Sequence, residues 1–430
     1  MLEQRNKVAI NYKDIQYTYS EVLQISQIYA DTFLDNCKPS KVLIFADNSP
    51  EWCFALYGSL RCEALVVPVD VQSTRNEVQY IIDDCTPDII FTTDNKLDFF
   101  SNIDCKGAKI VTPSCIAIDN SSNVAVSNIP VRGQDATMFI IYTSGTTSQP
   151  KGVMLTHYNL ASQMWLIDPL FLVREDDIFL SVLPMAHTYE CTLGLILAFH
   201  HGSHVVYLDK APTVSVLLPA LAEVRPTIML TVPLIIEKIF KGKVKKTFTS
   251  NAFMNALYGV GFIRRYLHRI AGKKLAKTFG GRIRFFGIGG SKLDGEVEQF
   301  LLDANFIYDV GYGLTETAPL IAGMVDGMLR HGSTGPILKG IEYRLENVNE
   351  EGIGELVVKS PSQMIGYYKN PEATAEVFTD DGWFCTGDVG YMDDDGYIYI
   401  TGRKKYVIIA DNGKNVFPEE IEEYLDHINE

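Results

Sequence analysis

The segment best suited to chemistry is 142–152, with the sequence Tyr-Thr-Ser-Gly-Thr-Thr-Ser-Gln-Pro-Lys-Gly. It follows the apolar run 138–141, which is typical of a buried strand. Hydroxyls and backbone N–H groups next to glycines form a nest for anions, and the lysine adds a point charge that suits phosphate. A Ser/Thr/Gly-rich surface turn would have a similar composition. The Lys-Gly ending that runs directly into Val-Met-Leu-Thr-His favours phosphate binding.

This segment does not have the sequence of a P-loop. That loop requires Gly-Lys-Ser/Thr, whereas Lys151 follows Pro150 and precedes Gly152. A nucleotide site built on 142–152 must therefore take its other groups from distant segments.

Two distant loops contain single carboxylates among residues suited to a nucleotide. In 308–317, Tyr-Asp-Val-Gly-Tyr-Gly-Leu-Thr-Glu-Thr, Glu316 stands with hydroxyls that suit Mg²⁺, and Tyr312 between glycines suits a flat base. Asp388 ends the run Trp-Phe-Cys-Thr-Gly-Asp and is able to accept hydrogen bonds from ribose hydroxyls. The run Gly-Arg-Lys-Lys at 402–405 adds fixed positive charge. Taken alone, the loop at 308–317 is also compatible with an ordinary turn.

The histidines are less specific. His187 lies in 183–190, Leu-Pro-Met-Ala-His-Thr-Tyr-Glu, between a predicted strand and the apolar run 193–199. A lone histidine is more often structural than catalytic. The cluster His-His-Gly-Ser-His at 200–204 suggests metal ligands, but Gly202 breaks the helix that would align two imidazoles. A helix-to-strand turn is therefore predicted there.

The elements that would position these loops alternate between strand and helix up to residue 288. Such alternation favours an α/β fold with two mostly parallel sheets flanked by helices. Helices are predicted at 19–34, 50–62 and 211–224. Buried strands are predicted at 42–46, 65–69, 89–92, 138–142, 178–183, 204–208, 228–232 and 283–288.

The pattern changes after residue 324 to short strands joined by tight turns. The run Asp-Asp-Asp-Gly at 393–396 is typical of a hairpin turn, so a smaller antiparallel β unit is predicted. A further helix is predicted over 418–428, which has an early proline and acidic residues in its first turn. The strands predicted for the β unit include 343–346, 354–359 and 396–400.

Four motifs together resemble the adenylate-forming superfamily, because they occur in the order and at the separations found there. The superfamily includes acyl-CoA synthetases, luciferases and the adenylation domains of peptide synthetases. The resemblance spans nearly the whole chain, and its motifs are 143–152, 311–316, 386–388 and 402–405. Within the superfamily the chain is most similar to long-chain fatty acid–CoA ligases, through segments 183–190, 232–238 and 412–422.

The resemblance implies a phosphate site and a metal site. Thr143 and Glu316 would hold Mg²⁺, directly or through water. The catalytic residues would be Lys151, Glu316, His187 and Arg403. The residues that wrap the β- and γ-phosphates of ATP would be Thr143, Ser144, Gly145, Thr146, Thr147 and Lys151.

The resemblance also implies how the nucleoside is bound. Tyr312 would stack on adenine, with Gly313 and Thr315 as further nucleotide contacts. Asp388 would bind the ribose hydroxyls, and Arg403 would approach ribose and phosphate.

Three glycine-loop residues and two basic residues complete the implied site. Gly289, Gly290 and Ser291 would line the base and the acyl group. His187 would lie near the acyl and pantetheine tunnel. Lys405 would lie where the family pivots between its two domains.

The implied reaction is the activation of a fatty, long-chain carboxylate. Attack of the carboxylate on the α-phosphorus of ATP would give acyl-AMP and pyrophosphate, and coenzyme A would then accept the acyl group. The developing charge on pyrophosphate requires Mg²⁺, lysine and N–H donors in place. Two alternatives stay open, namely transfer to an acyl carrier protein and a non-catalytic module that binds acyl groups or nucleotides.

The resemblance divides the chain into a large N-terminal adenylation domain at 1–402 and a hinge with a C-terminal fragment at 403–430. The antiparallel β unit would occupy about 325–401 of the large domain. The family's small α+β C-terminal domain has roughly a hundred residues, a normal size for a small domain, of which this chain would hold only the start. Poor turnover of the chain as given is therefore expected.

Composition limits the partners and the compartment. The 430 residues carry a net charge of −15, but 238–284 contains thirteen Lys/Arg and no Asp or Glu, so the rest carries about −28. Helical spacing of apolar residues within this basic block fits either a peripheral contact with an anionic membrane or an ordinary surface helix. No nucleic-acid module accompanies it. Scattered cysteines and a polar N-terminus predict a cytoplasmic protein. If the basic block contacts an anionic membrane, the protein would lie at the membrane surface. A homodimer is a further possibility that the sequence leaves open.

Overall fold

The computed structural model describes residues 6–118, 133–143, 149–325, 327–406, 408–409 and 415–416. The predicted residues Ser144, Gly145, Thr146 and Thr147 and the predicted helix at 418–428 lie outside these ranges. The strands are β1 (Val8–Tyr12), β2 (Ile15–Thr18), β3 (Lys41–Phe45), β4 (Leu65–Pro68), β5 (Ile89–Thr92), β6 (Lys109–Val111), β7 (Thr137–Thr143), β8 (Lys151–Thr156), β9 (Ile178–Ser181), β10 (His204–Tyr207), β11 (Ile228–Thr231), β12 (Phe285–Ile288), β13 (Asp309–Gly313), β14 (Leu320–Gly323), β15 (Glu342–Glu346), β16 (Gly354–Lys359), β17 (Gly366–Tyr367), β18 (Phe384–Met392), β19 (Ile398–Arg403), β20 (Ile408–Ile409) and β21 (Asn415–Val416).

Twelve α-helices are described in the same ranges. They are α1 (Tyr19–Asn36), α2 (Pro50–Arg61), α3 (Arg75–Cys85), α4 (His157–Ile167), α5 (Leu197–His200), α6 (Val214–Val224), α7 (Pro233–Ile239), α8 (Lys246–Phe248), α9 (Ala252–Tyr258), α10 (Gly261–Thr278), α11 (Gly295–Ala304) and α12 (Pro371–Val377). Wider π-helical turns occupy Tyr189–Ile196 and Phe240–Lys245, and 3₁₀ turns include Thr315–Thr317 and Lys404–Tyr406.

Three large sheets and the two-stranded sheet β20-β21 organise the described residues. An eight-stranded sheet has the order β14-β13-β12-β11-β9-β10-β1-β2, and a seven-stranded sheet has the order β17-β8-β7-β4-β3-β5-β6. The eight-stranded sheet is parallel in the middle and antiparallel at both ends. The seven-stranded sheet is antiparallel at its β17-β8-β7 end and parallel from β7 to β6. The third sheet, β15-β16-β18-β19, is wholly antiparallel. The α/β class with two mostly parallel sheets and a smaller antiparallel unit is therefore confirmed.

Local sequence explains where the first helices begin. Thr18 caps α1 and exchanges hydrogen bonds with Glu21 in a capping box, and Thr74 does the same with Glu77 before α3. Helix α2 begins with Pro50, which lacks the N–H that a first turn leaves unpaired. These helices pack on the parallel strands, so both faces of the strands are buried and the strands read as continuous apolar runs.

Predicted strands agree with the structure to within a few residues, and the turn at 393–396 joins β18 to β19 as predicted. The cluster at 200–204 is the predicted helix-to-strand turn, because α5 ends at His200 and β10 begins at His204. Two features differ. Lys151 opens strand β8 and is not part of a loop, and the two-residue strand β17 pairs with β8 in the seven-stranded sheet. In the described ranges, no helix has both the length and the apolarity that a bilayer crossing needs.

Candidate active site

The two ends of the predicted phosphate loop meet in a hairpin. Thr143 ends β7 and Lys151 begins β8, and the two are directly paired across the antiparallel ladder. The Thr143 hydroxyl lies 3.4 Å from the Lys151 carbonyl oxygen. Glycine suits position 152, because a Cβ there would lie 2.8 Å from the Ile140 side chain. The hairpin therefore fixes Thr143 and Lys151 side by side where β7 ends and β8 begins. In the sequence these two residues flank the segment 144–148.

A tyrosine connects Lys151 to Glu316. The Lys151 ammonium lies 4.9 Å from the centre of the Tyr367 ring, on its face. The Tyr367 hydroxyl donates to Glu316 Oε1 over 2.9 Å. Burial raises the pKa of Tyr367 well above its usual value, and the Glu316 charge raises it further, so the phenol stays a donor. Sequence reasoning missed Tyr367; an aromatic after Gly366 is its only local signal.

The Glu316 carboxylate projects from a turn that is held at both ends. Gly313 ends β13, and a Cβ there would lie 2.0 Å from the Pro319 carbonyl oxygen, so only glycine fits. The Met364 N–H donates to the Glu316 carbonyl oxygen over 2.7 Å, which ties the turn to the segment before β17. Glu316 and Thr315 are half-buried, so both face accessible space.

Tyr312, Asp388 and Arg403 form a second connected group. The Tyr312 hydroxyl donates to Asp388 Oδ2 over 2.6 Å, and Arg403 Nε lies 2.7 Å from Asp388 Oδ1. Asp388 and Arg403 are paired directly across β18 and β19. The sequence placed these three residues at a nucleoside site, and the structure brings them together. Both Asp388 oxygens already have protein partners, so a ribose hydroxyl would have to share or replace one.

Burial dominates the electrostatics of this group. It raises the pKa of Asp388, although the Arg403 charge and the Tyr312 hydroxyl partly offset the effect. Burial also raises the pKa of Tyr312 far above its usual value, and the Asp388 charge adds to this. Because Asp388 is only 4% exposed, its two partners are what allow a carboxylate there.

The glycine loop after β12 lies against an aromatic ring. The Gly289 N–H donates to the Thr231 carbonyl oxygen over 3.1 Å, and a Cβ at Gly289 would lie 3.4 Å from the Tyr189 ring. Gly290 has φ +87°, a left-handed conformation that favours glycine. Ser291 follows at the exposed end of the loop. Tyr189 has no role in the sequence prediction, although it stands two residues after His187.

A small apolar cavity lies close to Tyr189, with Leu230 and Phe285 in its lining. A Cβ at Gly287 would lie 3.0 Å from the Tyr189 hydroxyl. Gly287 pairs with Leu230, and Phe285 lines the cavity on the same sheet face. The cavity has a volume of about 40 Å³, and its other walls include Leu193 of the π-helical turn. The Tyr189 ring therefore fills the face of the eight-stranded sheet between the glycine loop and this cavity.

His187 is held by a carboxylate in a different part of the site. Its Nε2 lies 2.9 Å from Asp70 Oδ2, and its side chain is 60% exposed. Burial would raise the pKa of Asp70, but hydrogen bonds from His187 and the Gln72 N–H outweigh it and lower that pKa. The His187 imidazole thus contacts the Asp70 carboxylate, which belongs neither to the Lys151–Tyr367–Glu316 cluster nor to the Tyr312–Asp388–Arg403 cluster.

Polar residues fix the loop that carries His187. The Asn48 amide bonds the Leu183 carbonyl oxygen at 2.6 Å and the Met185 N–H at 2.8 Å. Glu190 is 2% exposed in the π-helical turn and packs where a Gly194 Cβ would collide at 2.6 Å. Burial raises the pKa of Glu190 to about 8, although the Ser181 hydroxyl and the Leu183 N–H donate to it.

The remaining basic residues lie at the end of β19. The Lys404 ammonium pairs with Glu355 Oε2 at 2.5 Å, which fixes it on the antiparallel sheet. Lys405 follows in a 3₁₀ turn, with its ammonium 5.0 Å from the centre of the Tyr406 ring. The predicted pivot role of Lys405 concerns the segment beyond 406, most of which is outside the described residues.

The donor set fits Mg²⁺ that is shared with a phosphate ligand. The described residues contain no group of three or more His, Cys, Asp or Glu able to hold a metal. Thr143 and Glu316 offer one hydroxyl and one carboxylate, and the Lys151–Tyr367 contact connects them. Mg²⁺ commonly takes one or two protein oxygens and completes its shell with water and phosphate.

Comparison with known proteins places the whole arrangement in context. The sequence profile of the family described as AMP-binding enzyme matches residues 2–368. Long chain acyl-CoA synthetase 1 of Arabidopsis thaliana is 32% identical over 470 residues, which span 96% of this chain and 69% of that protein. The long-chain-fatty-acid–CoA ligase FadD15 of Mycobacterium bovis is 29% identical, over 90% of this chain and 68% of that protein. The ATP-bound crystal structure of MatB from Rhodopseudomonas palustris superposes with a TM-score of 0.81 and 26% identity, over 98% of this chain and 80% of that chain.

Proposed function

Because this chain belongs to the AMP-binding enzyme family, we propose that it activates a long-chain fatty carboxylate with ATP and transfers the acyl group to coenzyme A. The observation that carries the proposal is the connected set Thr143, Lys151, Tyr367 and Glu316, which presents a hydroxyl, a cation and a carboxylate together. The relatives named as long-chain acyl-CoA synthetases supply the substrate class.

Lys151 is the phosphate-binding cation of this site. Its ammonium is held over the ring of Tyr367, the residue whose hydroxyl donates to Glu316. Thr143 and Glu316 would hold Mg²⁺ together with phosphate oxygens. When bound, Mg²⁺ supplies Lewis-acid neutralisation of the charge that develops on pyrophosphate. Thr143 and the half-buried Glu316 thereby orient the leaving group before reaction.

Tyr312, Asp388 and Arg403 bind the nucleoside. Tyr312 lies in β13 next to Gly311, and the Gly311 carbonyl oxygen packs on Gly289. The Tyr312 ring would therefore stand beside the Gly289 loop. Asp388 fixes the Tyr312 hydroxyl and the Arg403 guanidinium. A ribose hydroxyl that reaches Asp388 would use a free lone pair on an already bonded carboxylate oxygen.

The acyl tail follows the glycine-lined face of the eight-stranded sheet. Gly287 and Gly289 have no side chains, and Tyr189 occupies the face that they leave open. The apolar cavity lies close by on the same face. Its volume of about 40 Å³ is too small for a long tail, so tail binding requires the Tyr189 ring and its neighbours to move. His187 and Asp70 flank the loop before Tyr189, where the thiol would approach.

The two steps balance without an enzyme nucleophile. A carboxylate oxygen bonds to the α-phosphorus of ATP, and the bond from that phosphorus to the bridging oxygen breaks to release pyrophosphate. The thiol of coenzyme A then bonds to the acyl carbon, the carbon–oxygen bond to AMP breaks, and the thiol proton leaves to solvent or to AMP.

The test measures Mg-ATP-dependent pyrophosphate release with saturated fatty acids of graded length. Lys151→Ala and Glu316→Gln should each lower the rate by roughly 100-fold, since each removes a charged transition-state contact. Lys339→Ala removes an exposed lysine elsewhere and serves as the control.

The acceptor is identified in the same assay. Coenzyme A and a purified acyl carrier protein are supplied together, and the acylated product is identified by mass. Acyl-CoA as the product supports the proposal. Acylated carrier protein contradicts its second step, and nucleotide binding without any acyl-AMP contradicts both steps.

A further inference from the structure

Helix α10 is fixed in rotation by its inner face. Gly272 packs so closely on α11 that a Cβ there would lie 2.6 Å from the Ala304 Cβ. His268 is 2% exposed and hydrogen-bonds both Asp303, at 3.0 Å, and the Tyr258 hydroxyl, at 2.8 Å. These contacts leave the helix one orientation and determine which residues face outward.

The outer face of α10 exposes three large side chains in a row. Phe262, Tyr266 and Ile270 are 77%, 65% and 50% exposed, and their spacing of four residues places them along one stripe. Phe253 of α9 and Val260 before α10 are also exposed, at 72% and 39%. Soluble surfaces show such residues singly, whereas a contiguous group marks an interaction site.

Cations surround this stripe on the same helix. Within the basic block 238–284, Lys241 and Lys245 are neutralised by Asp294 and Glu296 on a neighbouring helix and its cap, and Arg265 approaches Asp303 at 3.6 Å. Farther along α10, positive charge is exposed to solvent. The exposed basic residues after Tyr266 are Arg269, Lys273, Lys274 and Lys277.

We propose that this outer surface of α10, together with Phe253 and Val260, docks on the surface of an anionic lipid bilayer. Aromatic and aliphatic side chains would enter the interface between headgroups and acyl chains, and the cations would pair with lipid headgroups. The rest of the chain carries about −28, so an anionic surface repels it and leaves α10 as the docking face. A soluble polyanion would engage the cations but would leave the apolar stripe in water.

The test is co-sedimentation of the purified chain with vesicles of neutral phosphatidylcholine or of phosphatidylcholine with one-third phosphatidylglycerol. Arg269→Gln, Lys273→Gln and Lys277→Gln are combined in one variant, and Phe262→Ser and Tyr266→Ser in a second. Matched controls are the exposed set Lys13→Gln, Lys38→Gln and Lys339→Gln, and the exposed Val348→Ser.

The chain should bind anionic but not neutral vesicles, and raised salt should weaken binding. The charge variant should lose roughly 100-fold in partitioning, since each basic side chain near an anionic surface contributes about five-fold. The Phe262/Tyr266 variant should also lose binding, while both control variants keep it.

Equal binding to neutral vesicles, or retained binding in either α10 variant, overturns the proposal. So does loss of self-association in the Phe262/Tyr266 variant with no vesicle binding by the wild-type chain, because the stripe would then be a contact between copies. Vesicle binding requires no turnover, so this result and that of the adenylation assay are independent.

Discussion

Tyr367 is the residue that relates the phosphate cation to the metal-site carboxylate. Its ring lies under Lys151, and its hydroxyl donates to Glu316 over 2.9 Å. Tyr367→Phe keeps the ring and removes only the hydroxyl. We expect kcat/KM for Mg-ATP to fall roughly 10- to 100-fold, because a hydrogen bond to a charged group contributes about 1.5–3 kcal/mol. Pyrophosphate release at graded Mg²⁺ and ATP concentrations measures this.

The adjacent tyrosine provides the control for that variant. Tyr368 packs beside Lys369, whose ammonium lies 5.1 Å from its ring centre. Tyr368→Phe should leave both the rate and the Mg²⁺ dependence unchanged. A Tyr367→Phe variant with wild-type Mg²⁺ dependence would show that the hydroxyl does not position Glu316.

Residue types and the family resemblance predict members of the candidate site but not the contacts between them. Tyr312, Asp388 and Arg403 were each assigned to the nucleoside, but their hydrogen bonds depend on the register of β18 against β19 and on the distance to β13. Tyr367 could not be predicted from the sequence, because its strand has only two residues and so shows no alternation of apolar and polar side chains. The phosphate-binding role of Ser144, Gly145, Thr146 and Thr147 stays a prediction, since these residues lie outside the described ranges.

At the scale of elements, the π-helical turn Tyr189–Ile196 contains the buried carboxyl group of Glu190, whose pKa is raised to about 8. Between pH of about 4.5 and 8 the folded chain keeps a proton on Glu190 that the unfolded chain releases. The free energy of unfolding therefore falls as pH rises through this window, by about 1.4 kcal/mol per pH unit. Glu190→Gln should remove this slope, so the variant gains stability relative to wild type as pH rises from 5 to 8.

Urea denaturation at several pH values gives the two slopes. The comparison uses the slope and not the absolute stability, since glutamine changes the local hydrogen bonds equally at every pH. Glu342→Gln, at an exposed position, should follow the wild-type curve. Parallel curves for Glu190→Gln and wild type would mean that Glu190 is ionised in the folded chain across this range.

Element prediction succeeded where burial leaves a simple pattern. Central strands such as β3 and β5 are covered on both faces, so they are uninterrupted apolar runs that the sequence displays directly. The π-helical turn could not be predicted, because its residues continue the apolar composition of α5. The hairpin β7–β8 was read as a strand and a loop because Pro150, Lys151 and Gly152 are typical turn residues.

For the whole molecule, the candidate site is assembled from the three largest sheets. Lys151 and Tyr367 come from the seven-stranded sheet, Tyr312 from the eight-stranded sheet, and Asp388 and Arg403 from the antiparallel sheet. A ligand that contacts all of them stabilises the sheets together. At 100 times its Kd, Mg-ATP should raise the free energy of unfolding by about 2.7 kcal/mol.

Thermal denaturation with and without Mg-ATP measures this linkage. The midpoint should rise with ligand concentration for the wild-type chain and for Lys339→Ala. The rise should be much smaller for Lys151→Ala at the same concentrations, because that variant has a weaker affinity. An equal rise in Lys151→Ala would place the nucleotide away from the hairpin.

The Asp388 carboxylate also links two sheets mechanically. Asp388 holds a hydroxyl from β13 with one oxygen and a guanidinium from β19 with the other, so a single buried carboxylate bridges two sheets. A ligand that competes for either oxygen must loosen that bridge, and one that adds a bond must stiffen it. The amide hydrogen-exchange rates of β13 and β18 should therefore change together when nucleotide binds. Exchange in these two strands would then report nucleotide occupancy of the site.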